Sequence, residues 1–87
     1  MTPEEFTEQL SSQGYEVVPV RRGPGSLDVH THPFEAKALI VAGEIAITTG
    51  DTERLYRVGD IFHLLAGVPH AERYGPAGVE YLAGRKG

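Results

Sequence analysis

The chain has 87 residues, room for one hydrophobic core and therefore one domain. Twelve acidic against eight basic side chains give a net charge of −4, with no basic cluster beyond Arg21-Arg22 and Arg85-Lys86, so nucleic acid is not an expected partner. The absence of cysteine excludes disulfides, thiolate metal sites and a thiol nucleophile, and it suits a reducing cytoplasm.

Thr2-Pro3-Glu4-Glu5 has the form of a helix start: a hydroxyl cap, a proline whose missing N–H is no loss in the first turn, and a glutamate three residues after the cap. The same stretch is acidic where a signal peptide is basic, so the expected location is cytoplasmic. Phe6 and Leu10 share a face at i, i+4, and Gly14 is a stop signal. We expect a short helix over 1–13, one edge of it packed against something larger. A β-domain over 15–84 would follow.

From Tyr15 onward the apolar runs are four to seven residues long, rich in Val, Ile, Tyr and Thr, and separated by Gly, Pro and Asp. Strands are expected at 15–21, 27–31, 37–42, 44–48, 54–57, 60–64, 70–74 and 79–83. Thr49-Gly50-Asp51 reads as a hairpin loop. Gly23-Pro24-Gly25 and the stretch from Tyr74 to Gly78 read as tight reversals. Eight brief strands after one helix give an all-β fold, a sandwich or barrel. The longest apolar run, Ala38-Leu39-Ile40-Val41-Ala42, is too short to span a bilayer, so no membrane partner is expected.

Four histidines occur, His30, His32, His63 and His70. His30 and His32 are two apart, so within a strand both leave by one face, close enough to share an ion. Further on, Gly59-Asp60-Ile61-Phe62-His63-Leu64-Leu65-Ala66-Gly67-Val68-Pro69-His70 reads as strand, turn and a histidine opening the next strand. That turn can return a third imidazole over the first two.

These stretches resemble the two motifs of the cupin superfamily, G-x5-H-x-H-x3-4-E-x6-G and G-x5-P-x-G-x2-H-x3-N. Gly59, Gly67 and His70 fit the second motif in register, with Leu65 in the proline's place and Tyr74 in the asparagine's. His30, His32 and Gly43 fit the first, while Gly25 is one residue too near His30 and Ala36 holds the glutamate's place. The resemblance implies a double-stranded β-helix, the jelly-roll barrel of cupins, around a pocket that holds a divalent metal (Fe, Mn, Ni or Zn). It places His30, His32 and His70 as the metal ligands. A metal-free barrel, its histidines merely hydrogen-bonded, is the plainer alternative.

With Ala36 unable to coordinate, the fourth position falls to Glu35, Glu72 or water, and three histidines finished by water lead. Glu35 points away from the pocket if the strand alternates regularly from Ala36. Glu72 lies two residues past His70, on the same face. His63 shares a face with Ile61 and Leu65, expected as pocket wall. It is open to coordination, to an acid–base role or to a plain core hydrogen bond. Glu72 and His63 are thus the candidate catalytic residues, with Tyr74, Arg57 and Arg73 as possible rim contacts.

Similar cupins oxygenate or isomerise small organic molecules at such an ion, and others bind a ligand or metal without turnover as sensor modules acting through a partner protein. A small-molecule ligand is expected in either case. An inward-facing Glu72 or His63 would favour the enzyme. A homodimer is expected, with the segment 15–21 covering an edge or pairing across a two-fold axis and the helix sealing one end of the barrel. The three serines, Ser11, Ser12 and Ser26, lie in no nucleophile elbow, so covalent hydrolysis is not expected.

Overall fold

A computed structural model describes residues 1–87. Pro3–Ser12 forms the helix, α1, closed at its start by reciprocal bonds: the Glu5 N–H donates to Thr2 Oγ1 and the Thr2 N–H to Glu5 Oε1, both at 3.1 Å. Six strands follow: β1 (Glu16–Arg22), β2 (Gly25–His30), β3 (Glu35–Thr49), β4 (Thr52–Arg57), β5 (Ile61–Leu64) and β6 (His70–Lys86). All pair antiparallel.

The six strands make two four-stranded layers because β3 and β6 are long enough to bend and serve in both. One layer runs β1, the second half of β6, the first half of β3, then β5. The other runs β2, the first half of β6, the second half of β3, then β4. This is the expected jelly-roll barrel. The eight expected strands are present as segments, but 37–42 with 44–48, and 70–74 with 79–83, are halves of continuous strands.

The stretch from Tyr74 to Gly78 is therefore a corner within β6 and not a reversal. Its residues 75–78 stand unpaired opposite Glu44, since Ile45 pairs with Tyr74 and Gly43 with Val79. Glycine is needed at this corner. A Cβ on Gly43 would overlap the Gly78 carbonyl, one on Gly78 would overlap the Arg22 carbonyl, and both residues have positive φ, 70° and 76°.

Between the layers lie Ala38, Ile40, Ile45, Ile47, Phe62, Val79, Tyr81 and Ala83, inward residues of β3, β5 and β6. On β3 the inward positions pass from even numbers (Ala38, Ile40) to odd (Ile45, Ile47), a phase change made by the irregular pairing around Gly43. The opposite face of the first layer carries Leu39, Leu82 and Val17. Against it α1 buries Phe6 and Leu10, worth about 1.5–3 kcal/mol each. The helix thus covers the outside of a sheet; it does not seal the barrel end. Strand β1 pairs with β6 along its length and forms the layer's edge. No helix is long and apolar enough to cross a membrane.

Candidate metal centre

His30 closes β2 and His70 opens β6, and the two are direct partners across the antiparallel pair. Opposed residues of this kind hold their side chains side by side, which places the two imidazole centroids 4.2 Å apart. His32 lies past the end of β2, so the two histidines do not share one strand as their spacing suggested. Its carbonyl accepts the Gly67 N–H at 2.9 Å, tying the histidine loop to the turn before His70. The His32 ring stands 4.9 Å from that of His30 and 5.1 Å from that of His70, backed by the Phe34 ring stacked at 4.8 Å.

Glu72 projects from β6 on the same face as His70. One donor atom from each of His30, His32, His70 and Glu72 can be chosen so that all lie within 4.8 Å of one another. The expected trio is thus brought together, and the Glu72 carboxylate lies with it. Glu35, the other candidate, lies outside this group.

The tautomers follow from hydrogen bonds. His30 Nδ1 lies 2.8 Å from the Asp28 carbonyl oxygen and His70 Nδ1 lies 3.0 Å from that of Val68. A carbonyl only accepts, so each Nδ1 carries the proton and donates, and in the neutral ring Nε2 keeps its lone pair. Both Nε2 atoms are buried without a hydrogen-bond partner. Glu72 Oε2 is near them, at 3.1 Å from His30 and 3.4 Å from His70, but its direction does not make a hydrogen bond. Burial, and then the neighbouring His30 and His70, push His32 below the ordinary histidine value, which keeps it neutral.

This is the arrangement a cation requires. Three imidazoles and a carboxylate converge, with the unpartnered Nε2 atoms of His30 and His70 buried among them and the far ring nitrogens of those two anchored on backbone carbonyls. An N3O donor set suits divalent first-row transition metals. Tyr74 completes the support: its hydroxyl donates to Glu72 Oε1 at 3.1 Å, leaving Oε2 toward the histidines. Burial, then the Glu72 charge, pushes the Tyr74 hydroxyl above its usual value.

The cluster opens into a cleft of about 90 Å³. Phe34, Phe62, Leu64 and Leu27 form much of its apolar wall, and Arg22, Tyr81 and Arg85 add polar groups. Tyr81 is pushed up to about 12 by burial and then by the Glu72 charge, so its hydroxyl stays protonated. The sequence reading missed Arg22, Tyr81 and Arg85. Each continues an inward alternation, Val18-Val20-Arg22 on β1 and Tyr81-Ala83-Arg85 on β6, and period two carried to the strand ends would have found them.

His63 corrects the expectation. On β5 the inward residues are Phe62 and Leu64, so Ile61, His63 and Leu65 form the outer face. His63 Nε2 hydrogen-bonds Glu35 Oε2, which also accepts the Tyr15 hydroxyl at 2.9 Å. The His63 ring and the Tyr15 hydroxyl hold the Glu35 carboxyl below the usual carboxylate range. This network joins β3, β5 and the residue that precedes β1, outside the cleft. Arg73 pairs with Glu53 at 2.7 Å, and neither it nor Arg57 reaches the cleft.

The sequence matches no protein-family model and no curated protein. In three dimensions the chain is similar to solved cupin structures. A cupin-2 domain protein from Shewanella frigidimarina superposes with a TM-score of 0.69 at 17% identity, over 79% of this chain and 67% of its own. Oxalate decarboxylase of Bacillus subtilis, a protein with Mn(II) centres, gives 0.71 at 25% identity over 80% of this chain and 20% of its own. The DMSP lyase of Ruegeria pomeroyi gives 0.68 at 29% identity over 82% and 36%. This chain therefore spans about a fifth and about a third of the lengths of those two enzymes.

Proposed function

The chain has the cupin fold, and from that premise we propose that it is a small metal-dependent enzyme in which His30, His32, His70 and Glu72 hold one divalent ion. The substrate is a small organic molecule, and oxygenation is the reaction favoured. The observation that carries this reading is the pair of buried Nε2 atoms on His30 and His70, without hydrogen-bond partners and facing a carboxylate. An ion bound there would supply Lewis acidity, and redox chemistry if it is iron or manganese.

The chain's own residues do the rest. The Asp28 and Val68 carbonyls fix the ring tautomers, and Tyr74 fixes Glu72. Phe34, Phe62 and Leu64 keep the cleft wall apolar and limit water. The Tyr81 hydroxyl is a protonated donor placed to meet negative charge developing on a substrate oxygen.

Between oxygenation and isomerisation, the inventory of bases decides. With Glu72 in the donor set and His63 on the outer face, the cleft offers no uncommitted base to carry a proton between substrate carbons. Oxygenation of a substrate that enters already as its anion does not require one.

Elemental analysis of protein purified without a chelating tag tests the site, with one equivalent of a first-row metal expected. Oxygen uptake and substrate depletion by the Fe(II), Mn(II) and Ni(II) forms, across diketones, catechols and short organic acids, test the activity. Absence of retained metal would overturn the reading. Metal without turnover would leave the binding module.

A further inference from the structure

Two arginines reach the cleft without a carboxylate partner. Arg21 pairs with Glu80 and Arg73 with Glu53, but neither Arg22 nor Arg85 has an acidic oxygen within 4.0 Å. Both stand on inward positions of one layer, at opposite ends of it: Arg85 lies across from Glu16 and Arg22 across from Val79. Six residues of strand separate those ends, about 20 Å, and long side chains bring both to one cleft.

Arg85 is held by aromatic stacking. Its Cζ lies 5.2 Å from the Phe34 centroid, and Phe34 in turn stacks on His32 at 4.8 Å. A guanidinium resting on a ring face keeps its N–H donors free around its edge, preset for a planar bidentate partner. That partner is absent from the protein.

The charges of the cleft point the same way. Glu72 is the one acidic side chain lining it, against Arg22 and Arg85, so the cleft is net positive even before an ion is counted. The chain as a whole is at −4. A local positive focus on an acidic protein favours anions at this site.

We propose that the substrate is a short organic acid, its carboxylate held by Arg85 with Arg22 adding positive potential, and a second oxygen directed to the ion. The apolar wall and the volume of about 90 Å³ restrict it to few heavy atoms. This rests on the metal-centre reading above and adds the substrate class to it.

Glycolate and its neutral isostere glycolamide are the probes, titrated calorimetrically into the Mn(II)-loaded protein after its metal content has been measured. Glycolate should bind more tightly by about tenfold or more. Arg85→Gln should erase that preference at unchanged metal content, and Arg22→Gln should reduce it. Equal binding of the two probes at full metal content, or a preference that survives Arg85→Gln, would overturn the proposal while sparing the metal centre. A wild-type protein that retains none of Mn(II), Fe(II), Ni(II) and Zn(II) would overturn the metal centre, and the proposal with it.

Discussion

His30 Nε2 and Glu72 Oε2 lie 3.1 Å apart as two acceptors facing one another. In a neutral His30 ring the proton sits on Nδ1, committed to the Asp28 carbonyl, and a carboxylate has none to offer. Such a contact is repulsive in isolation and becomes favourable with a cation between the two atoms. The same holds for His70, whose ring is 2% exposed and cannot turn to water for relief.

Metal should therefore stabilise the fold as well as serve it. Ligand present at about 100 times its dissociation constant adds about 2.7 kcal/mol, which in a chain of this size raises the melting temperature by on the order of 10 °C. Chelation of the holoprotein should lower the melting temperature by about that amount and leave the far-ultraviolet dichroism of a folded β-protein. The double replacement His30→Ala with His70→Ala should match the chelated protein and no longer respond to added metal. Loss of all structure on chelation would instead make the ion a structural one.

Tyr74 tests the support of the carboxylate. Tyr74→Phe keeps the ring that fills the space and deletes the hydroxyl that holds Glu72 Oε1. Loss of such a supporting hydrogen bond typically costs about 10–100-fold in metal affinity. Competition against a chromogenic chelator measures it, and an affinity equal to that of the wild type would remove Tyr74 from the site.

The histidine trio was legible because spacing along the chain carries it: His30 and His32 as a pair, His70 after the Gly67 turn. The alternation of Ala36, Ala38 and Ile40 likewise gives the inward face of β3. His63 was misread because β5 is only four residues long, and its phase is set by pairing with β3, where Ala38 meets Phe62 and Lys37 meets His63. Glu72 was placed on the right face, and the same period of two puts Tyr74 beside it, a support that the sequence reading did not draw because it took Tyr74 as a rim contact. The continuity of β3 and β6 was hidden for a related reason. Glycine at Gly43 and Gly78 signals a break locally, whereas here it permits two backbones to touch at a corner.

The Glu35 network predicts an acid limb of stability. Glu35 is held below its ordinary value of 4.5, first by His63 and then by Tyr15, so the folded state favours its ionised form. That contribution is complete above about pH 4.5, where the unfolded carboxyl titrates, and it is lost as the pH falls through the lower folded value. Glu35→Gln should be less stable than wild type near neutrality, with the two denaturation midpoints converging as the pH is lowered below that range. A constant difference between them across acid pH would show that Glu35 acts by packing and not by charge.

Gly78 and Gly50 share a positive φ, 76° and 58°, yet alanine should behave differently at each. At Gly50, in the hairpin between β3 and β4, a Cβ meets open space, so Gly50→Ala costs only the conformational penalty of about 1–2 kcal/mol. At Gly78 the added methyl would also overlap the Arg22 carbonyl, which is backbone and cannot rotate aside. Gly78→Ala must therefore move the corner of β6 or the end of β1, and should lose about 3 kcal/mol or more. Because Arg22 sits at that contact and also lines the cleft, the same change should weaken glycolate binding in any variant that still folds. Paired urea denaturation of the two variants measures the difference, and equal losses would mean that the corner is more compliant than its packing implies.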